Sequence, residues 1–138
     1  MKILMMLLVM VWLHIFADFH LQGILASMKQ KDWWKSQSTD PLYKNDYKVS
    51  LVVHAFDWAF IVLLPIFIAL WRDMSVLTPR LIARVIVYIL LLVGNACLHY
   101  GIDDMKANSK SISLLDDQFA HMIQIVVTWL IGIFIAGW

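Results

Sequence analysis

Apolar residues run almost unbroken from Ile3 to Leu13 before His14 and Asp18 arrive four residues apart, and the hydrophobic pattern continues past both. Three more apolar runs follow, each again carrying polar residues three or four apart. Each run is long enough to cross a hydrocarbon core of about 30 Å at about 1.5 Å per residue. The pattern predicts helices over 3–26, 47–71, 79–101 and 114–137, with a polar loop over 27–46. Lys2 followed by an apolar stretch resembles the start of a cleavable leader, but no small-x-small cleavage site follows, so the first run reads as a retained span.

Local signals mark the ends. Trp33 and Trp34 lie among the lysines of the polar loop as interfacial anchors, and a short amphipathic surface helix is expected over 28–36. Asp40-Pro41 marks a turn, and Asn45 or Asp46 is placed to cap the second span. Pro65 should kink that span. Thr78-Pro79 is a helix start, and Ser113 with Asp116 resembles a capping box. Short connections between four spans imply an all-α, antiparallel four-transmembrane-helix bundle in one membrane domain. Gly94, Ala96, Gly132 and Gly137 would let its helices pack closely.

Composition agrees. The 138 residues are 62% hydrophobic and only 15% charged, where a soluble domain carries about a quarter charged residues. A net charge of +1 leaves no electrostatic footprint for nucleic acid. The single Cys97 has no partner for an internal disulfide and is expected as a small buried core residue. Every acidic residue is Asp.

The polar residues inside the spans carry the chemistry. They are His14, Asp18 and Gln22; Ser50, His54 and Asp57; Asn95, His99 and Asp103; and Asp117, His121, Gln124 and Thr128. Residues three or four apart share a helix face, so each span carries one polar stripe with one His and one Asp. In an up-down bundle all four His–Asp pairs fall at the same membrane face. Ionisable stripes of this kind face the bundle interior. Imidazole nitrogen and carboxylate oxygen on facing helices build metal sites in bundle cores. The expected ligands are therefore His14, Asp18, His54, Asp57, His99, Asp103, Asp117 and His121. The ion is a divalent metal: zinc first, with manganese, iron or nickel as alternatives. Asp18, Asp103 and Asp117 either ligate or orient the histidines, and one of them serves as general base. His20 points away from the stripe, and Lys106 reads as a solvated loop residue. Apart from Trp33 and Trp34, the tryptophans read as belt and packing residues. No phosphate-binding loop, dinucleotide fingerprint or nucleophile elbow is present.

His14-x-x-x-Asp18-Phe19-x-Leu21-Gln22, His54, His99-x-x-x-Asp103-x-x-Lys106 and Asp117-Gln118-x-x-His121 together resemble a family of small polytopic bacterial and phage membrane proteins catalogued as a domain of unknown function. The resemblance covers nearly the whole chain and implies a bacterial or phage origin without supplying an activity. A looser similarity, by analogy only, is to membrane-bound metal-dependent hydrolases.

The sequence therefore points to metal-dependent hydrolysis of a phosphoester or lipid-like substrate, with membrane lipid as surroundings and a homo-oligomer as an open alternative. The rivals are a proton or metal-ion conduit and a phage-encoded effector with a purely structural polar core. A conduit needs polar residues through the opposite halves of the spans, and 3–11, 60–70, 85–93 and 129–135 are almost wholly apolar. Seven lysines lie on the site face against four basic residues on the other. The positive-inside rule then orients the site toward the cytoplasm in a bacterial cytoplasmic membrane.

Overall fold

The computed structural model describes residues 2–72 and 78–136, the side chain of Ala136 excepted. Four long helices, α1 (Lys2–Phe16), α4 (Asp46–Trp71), α5 (Pro79–Asp104) and α6 (Leu114–Ala136), form the bundle, and no strand occurs among the described residues. All four are long and apolar enough to cross a membrane. The C-terminal halves of α1 and α5 and the N-terminal halves of α4 and α6 meet at one level, which makes the topology antiparallel.

The first span is shorter than its apolar run predicts. α1 ends at Phe16, a π-helical turn follows over Ala17–Leu21, and Gly23 at φ +49° turns the chain, a backbone conformation that glycine adopts without a Cβ penalty. Two short helices, α2 (Leu25–Met28) and α3 (Lys31–Gln37), then follow, and Trp34 Nε1 donates to Met28 O at 2.6 Å. The helix expected over 28–36 is thus α3, displaced by a few residues.

α5 runs past its expected end at 101 to Asp104 and then widens into a second π-helical turn, Met105–Ser109. Its start follows the sequence signal, with Thr78 Oγ1 accepting from Leu81 N at 3.1 Å. Ser113 and Asp116 satisfy each other's backbone N–H groups at 3.0 and 3.2 Å, a capping box with Asp in place of Glu. Asn45 occupies the cap position of α4 without a side-chain hydrogen bond.

α4 is the spine of the bundle, with more of its residues buried than α1, α5 or α6. Its Trp58, Val62, Leu63 and Ile66 are fully buried with Met10 and Ile125. The outer surface is apolar too, with Leu4, Trp12, Phe60, Leu90, Leu98 and Phe134 exposed, as hydrocarbon surroundings require. Of the small residues, Gly132 does the close packing: a Cβ there would meet Ile66 Cδ1 at 2.5 Å. A Cβ on Gly94 would meet nothing within 4 Å, and Gly137 lies outside the described residues. Cys97 is exposed on α5 rather than buried, because the core-facing positions of that stretch are Ala96 and His99.

Candidate metal centre

The polar stripes meet inside the bundle. His14, His54, His99, Asp103, Asp117 and His121 are all buried, and the Asp18 side chain is only 5% exposed. Asp18 Oδ1 lies 3.4 Å from His54 Nε2 and 3.7 Å from His99 Nε2. His54 Nε2 and His99 Nε2 are 3.1 Å apart, and Asp103 Oδ2 lies 3.4 and 3.8 Å from them. Zinc bound at about 2.0–2.1 Å in a tetrahedron requires ligand atoms about 3.3 Å apart. The five distances between these imidazole and carboxylate atoms, 3.1–3.8 Å, lie within about half an ångström of that figure. The set Asp18, His54 and His99 can hold a metal ion, and so can His99, Asp103 and His121.

The ring orientations follow from packing. Trp58 stacks on His99 with centroids 4.2 Å apart, and His121 stacks on His99 too, also at 4.2 Å. His99 Nδ1 and His121 Nδ1 are 3.2 Å apart. With the Nε2 lone pair of His99 committed to a cation, its hydrogen sits on Nδ1 and points at His121 Nδ1. That fixes the hydrogen of His121 on Nε2, which lies 3.5 Å from both Asp103 Oδ1 and Asp117 Oδ1. Oriented imidazoles backed by carboxylates are the usual outer support of a metal site. Asp117 Oδ1 and His121 Nε2 are buried atoms with no hydrogen-bond partner among the described residues.

Three expected ligands, His14, Asp57 and Asp117, stand outside both sets. His14 reaches the cluster with both nitrogens engaged: Trp58 Nε1 donates to Nδ1 at 2.8 Å, so Nε2 carries the hydrogen and donates to Gln118 Oε1 at 3.1 Å. It orients Trp58 and Gln118 and offers no lone pair to an ion. Asp57 is exposed on the outer face of α4, and the site-facing position after His54 belongs to Trp58. Asp117 contributes from the next layer, where its Oδ2 accepts from Lys106 Nζ at 2.8 Å and Gln118 Nε2 at 3.0 Å. His20 is exposed against Phe16, as its position off the stripe implies.

Three participants carried no clear sequence signal. Lys29, at the end of α2, is 7% exposed and donates to Asp103 Oδ2 at 2.6 Å. Trp58 is the second, although its spacing of four from His54 placed it on the right face. Gln118 bridges His14, Asp117 and, at 3.4 Å, Asp18 Oδ2. Lys106, read as a loop residue, instead clamps Asp117. Deeper in the bundle, Gln124 Nε2 and Thr128 Oγ1 both donate to Asn95 Oδ1 at 2.9 Å and close the polar layer. Below it the interior is apolar, formed by Met10, Val62, Leu63 and Ile66.

On the other side the centre opens to a cavity of about 360 Å³ whose wall includes Asp18, Gln22, Lys29, Lys106 and Gln118. Comparison of the chain with protein-family models, curated proteins and solved structures finds no match to any of them, so what the chain does is argued from this geometry.

Proposed function

We propose that this chain is a membrane-embedded, metal-dependent hydrolase acting on a phosphoester or lipid-like substrate. The observation that carries the reading is the convergence of Asp18 Oδ1 and Asp103 Oδ2, each 3.4–3.8 Å from His54 Nε2 and His99 Nε2, in a buried site beside a polar cavity. The donor chemistry, two imidazoles with two carboxylates, favours zinc, with manganese, iron or nickel as alternatives. A bound divalent cation supplies Lewis acidity, bringing the pKa of a water molecule down to about 7 and polarising an ester oxygen.

The chain's own groups do the rest. Asp18 is the member of the donor set that also lines the cavity, so it is the carboxylate placed to take a proton from an incoming nucleophile. Gln118 holds its second oxygen, and Lys29 and Lys106 fix Asp103 and Asp117. The apolar floor of Met10, Val62, Leu63 and Ile66 excludes water from the far half of the bundle, which supports a one-sided pocket over a conduit within one chain. The lysine excess on the site face favours a cytoplasmic opening in a bacterial membrane.

Elemental analysis of protein purified without chelator tests the reading. Wild type should carry about one divalent ion or more per chain, His99→Ala should lose it, and chelation should abolish ester hydrolysis. Folded wild-type protein that takes up no metal overturns the proposal.

A further inference from the structure

The cavity beside the metal centre is graded in charge. Lys29, at its inner end, has a side chain 9% exposed; Lys106 is 33% exposed and Lys110, at the mouth, 69% exposed. Between them the amides of Gln22, Gln30 and Gln118 complete the polar wall. Asp18 is the one carboxylate among the residues that line it. A line of ammonium groups rising from a buried floor to an open mouth draws anions inward.

The charge at the floor decides when an anion is accepted. With neutral imidazoles, the carboxylates of Asp18, Asp103 and Asp117 exceed the ammonium groups of Lys29 and Lys106 by one negative charge. A divalent cation turns that balance to one positive charge. The centre thus takes its metal first and an anion second. The volume, about 360 Å³, lies at the small end of ligand pockets, enough for a phosphate with a small alcohol but not for acyl chains. Lysine ammonium groups and amide N–H donors suit the three oxygens of a phosphate. Phe19, 57% exposed and apolar, also lines the cavity.

We infer that the cavity is the substrate's phosphate subsite, so that the reaction assigned above is hydrolysis of a phosphate ester rather than of a neutral lipid ester. This inference rests on the hydrolase reading, and the experiment keeps the two apart. Zinc-loaded protein in detergent is titrated calorimetrically with glycerol phosphate, with dihexanoyl phosphatidic acid and with neutral dihexanoylglycerol, and its metal content is measured in parallel.

Both phosphates should bind and the neutral lipid should not. Lys110→Gln should weaken phosphate binding several-fold, and Lys106→Gln with Lys110→Gln at least tenfold, with zinc content unchanged in Lys110→Gln. Phosphatidic acid binding at least tenfold tighter than glycerol phosphate assigns the site to a membrane lipid headgroup; equal affinities assign it to a soluble ester, and either result supports the phosphate subsite. Zinc-loaded wild type that binds neither phosphate, or binds the neutral lipid equally well, overturns this inference alone. Protein that binds no zinc overturns the hydrolase reading beneath it.

Discussion

Replacing Asp103 by Asn separates what this carboxylate does for the fold from what it does for the metal. Its Oδ2 accepts from Lys29 Nζ at 2.6 Å, and the two side chains are 2% and 9% exposed. Removing one member of a buried pair leaves the other charge uncompensated, a loss of about 3–5 kcal/mol. Asp103→Asn and Lys29→Met should therefore each destabilise metal-free protein by roughly that much in a denaturant titration in detergent micelles. The double variant leaves no orphan charge and should recover to within about 1 kcal/mol of wild type, which gives a coupling energy of about 5 kcal/mol or more. Metal separates the variants differently. Zinc at about a thousand times its dissociation constant should stabilise the wild type by about 4 kcal/mol. The same zinc should stabilise Lys29→Met, which keeps all four donors, but neither variant that lacks the Asp103 carboxylate. If Asp103→Asn is stabilised by zinc as wild type is, Asp103 is not a ligand. If the double variant stays as unstable as the singles, the Lys29 pair is not what holds α2 to α5.

Three further outcomes follow from particular positions. Asp57 is exposed on a membrane-spanning helix, 11 residues or about 16 Å along α4 from Asp46, so Asp57→Leu should ease membrane insertion by about 2–3 kcal/mol in an insertion assay and leave zinc content unchanged; loss of zinc would return Asp57 to the site. Gly132→Ala should cost about 1–3 kcal/mol in thermal unfolding because its Cβ meets buried Ile66, and Ile66→Val, which removes the contacting Cδ1, should restore most of it; a neutral Gly132→Ala would show that the helices part freely there. The ammonium groups of Lys110 and Lys35 hold the exposed Asp32 carboxyl below its ordinary range. A depressed carboxyl contributes above the unfolded value and loses its contribution as pH falls through the folded one. Amide exchange in α3, with intrinsic rates corrected for pH, should therefore stay constant from neutral pH down through the ordinary carboxylate range and rise only below it; a rise near neutrality would contradict the pairing.

The four spans and the shared depth of their His–Asp pairs were legible because spacings of three and four fix a helix face whatever the partner helix is. The same rule failed at Asp57 for a geometric reason. From His54, a step of three turns about 60° one way and a step of four about 40° the other. The buried positions of α4 continue 58, 62, 66 and 70, so the core lies on the four-step side and Asp57 turns outward. His14 lay on the right face, but which atoms its nitrogens meet depends on Trp58 and Gln118, neither fixed by its own helix. Lys29 was hidden for the opposite reason: it sits in a polar loop, and its partner Asp103 is 74 residues away.

The two π-helical turns explain how the cavity comes to sit over the centre. Each lies at a His-x-x-x-Asp pair at the end of a span: Ala17–Leu21 contains Asp18, and Met105–Ser109 begins two residues after Asp103. Such widened turns re-aim the residues that follow and recur at functional sites. Here they bring Lys106 across to Asp117 on α6 and leave Gln22 beside Asp18. A polar core serving only to hold helices together would close its hydrogen bonds and balance its charge, since buried ion pairs rarely repay their desolvation. This one does neither. Asp117 Oδ1 and His121 Nε2 stay without a hydrogen bond among the described residues, 3.5 Å apart, three carboxylates face two ammonium groups, and imidazole and carboxylate donors converge at metal-binding distances. A proton on a histidine would offset the charge excess alone; a cation would offset it and fill the donor set together.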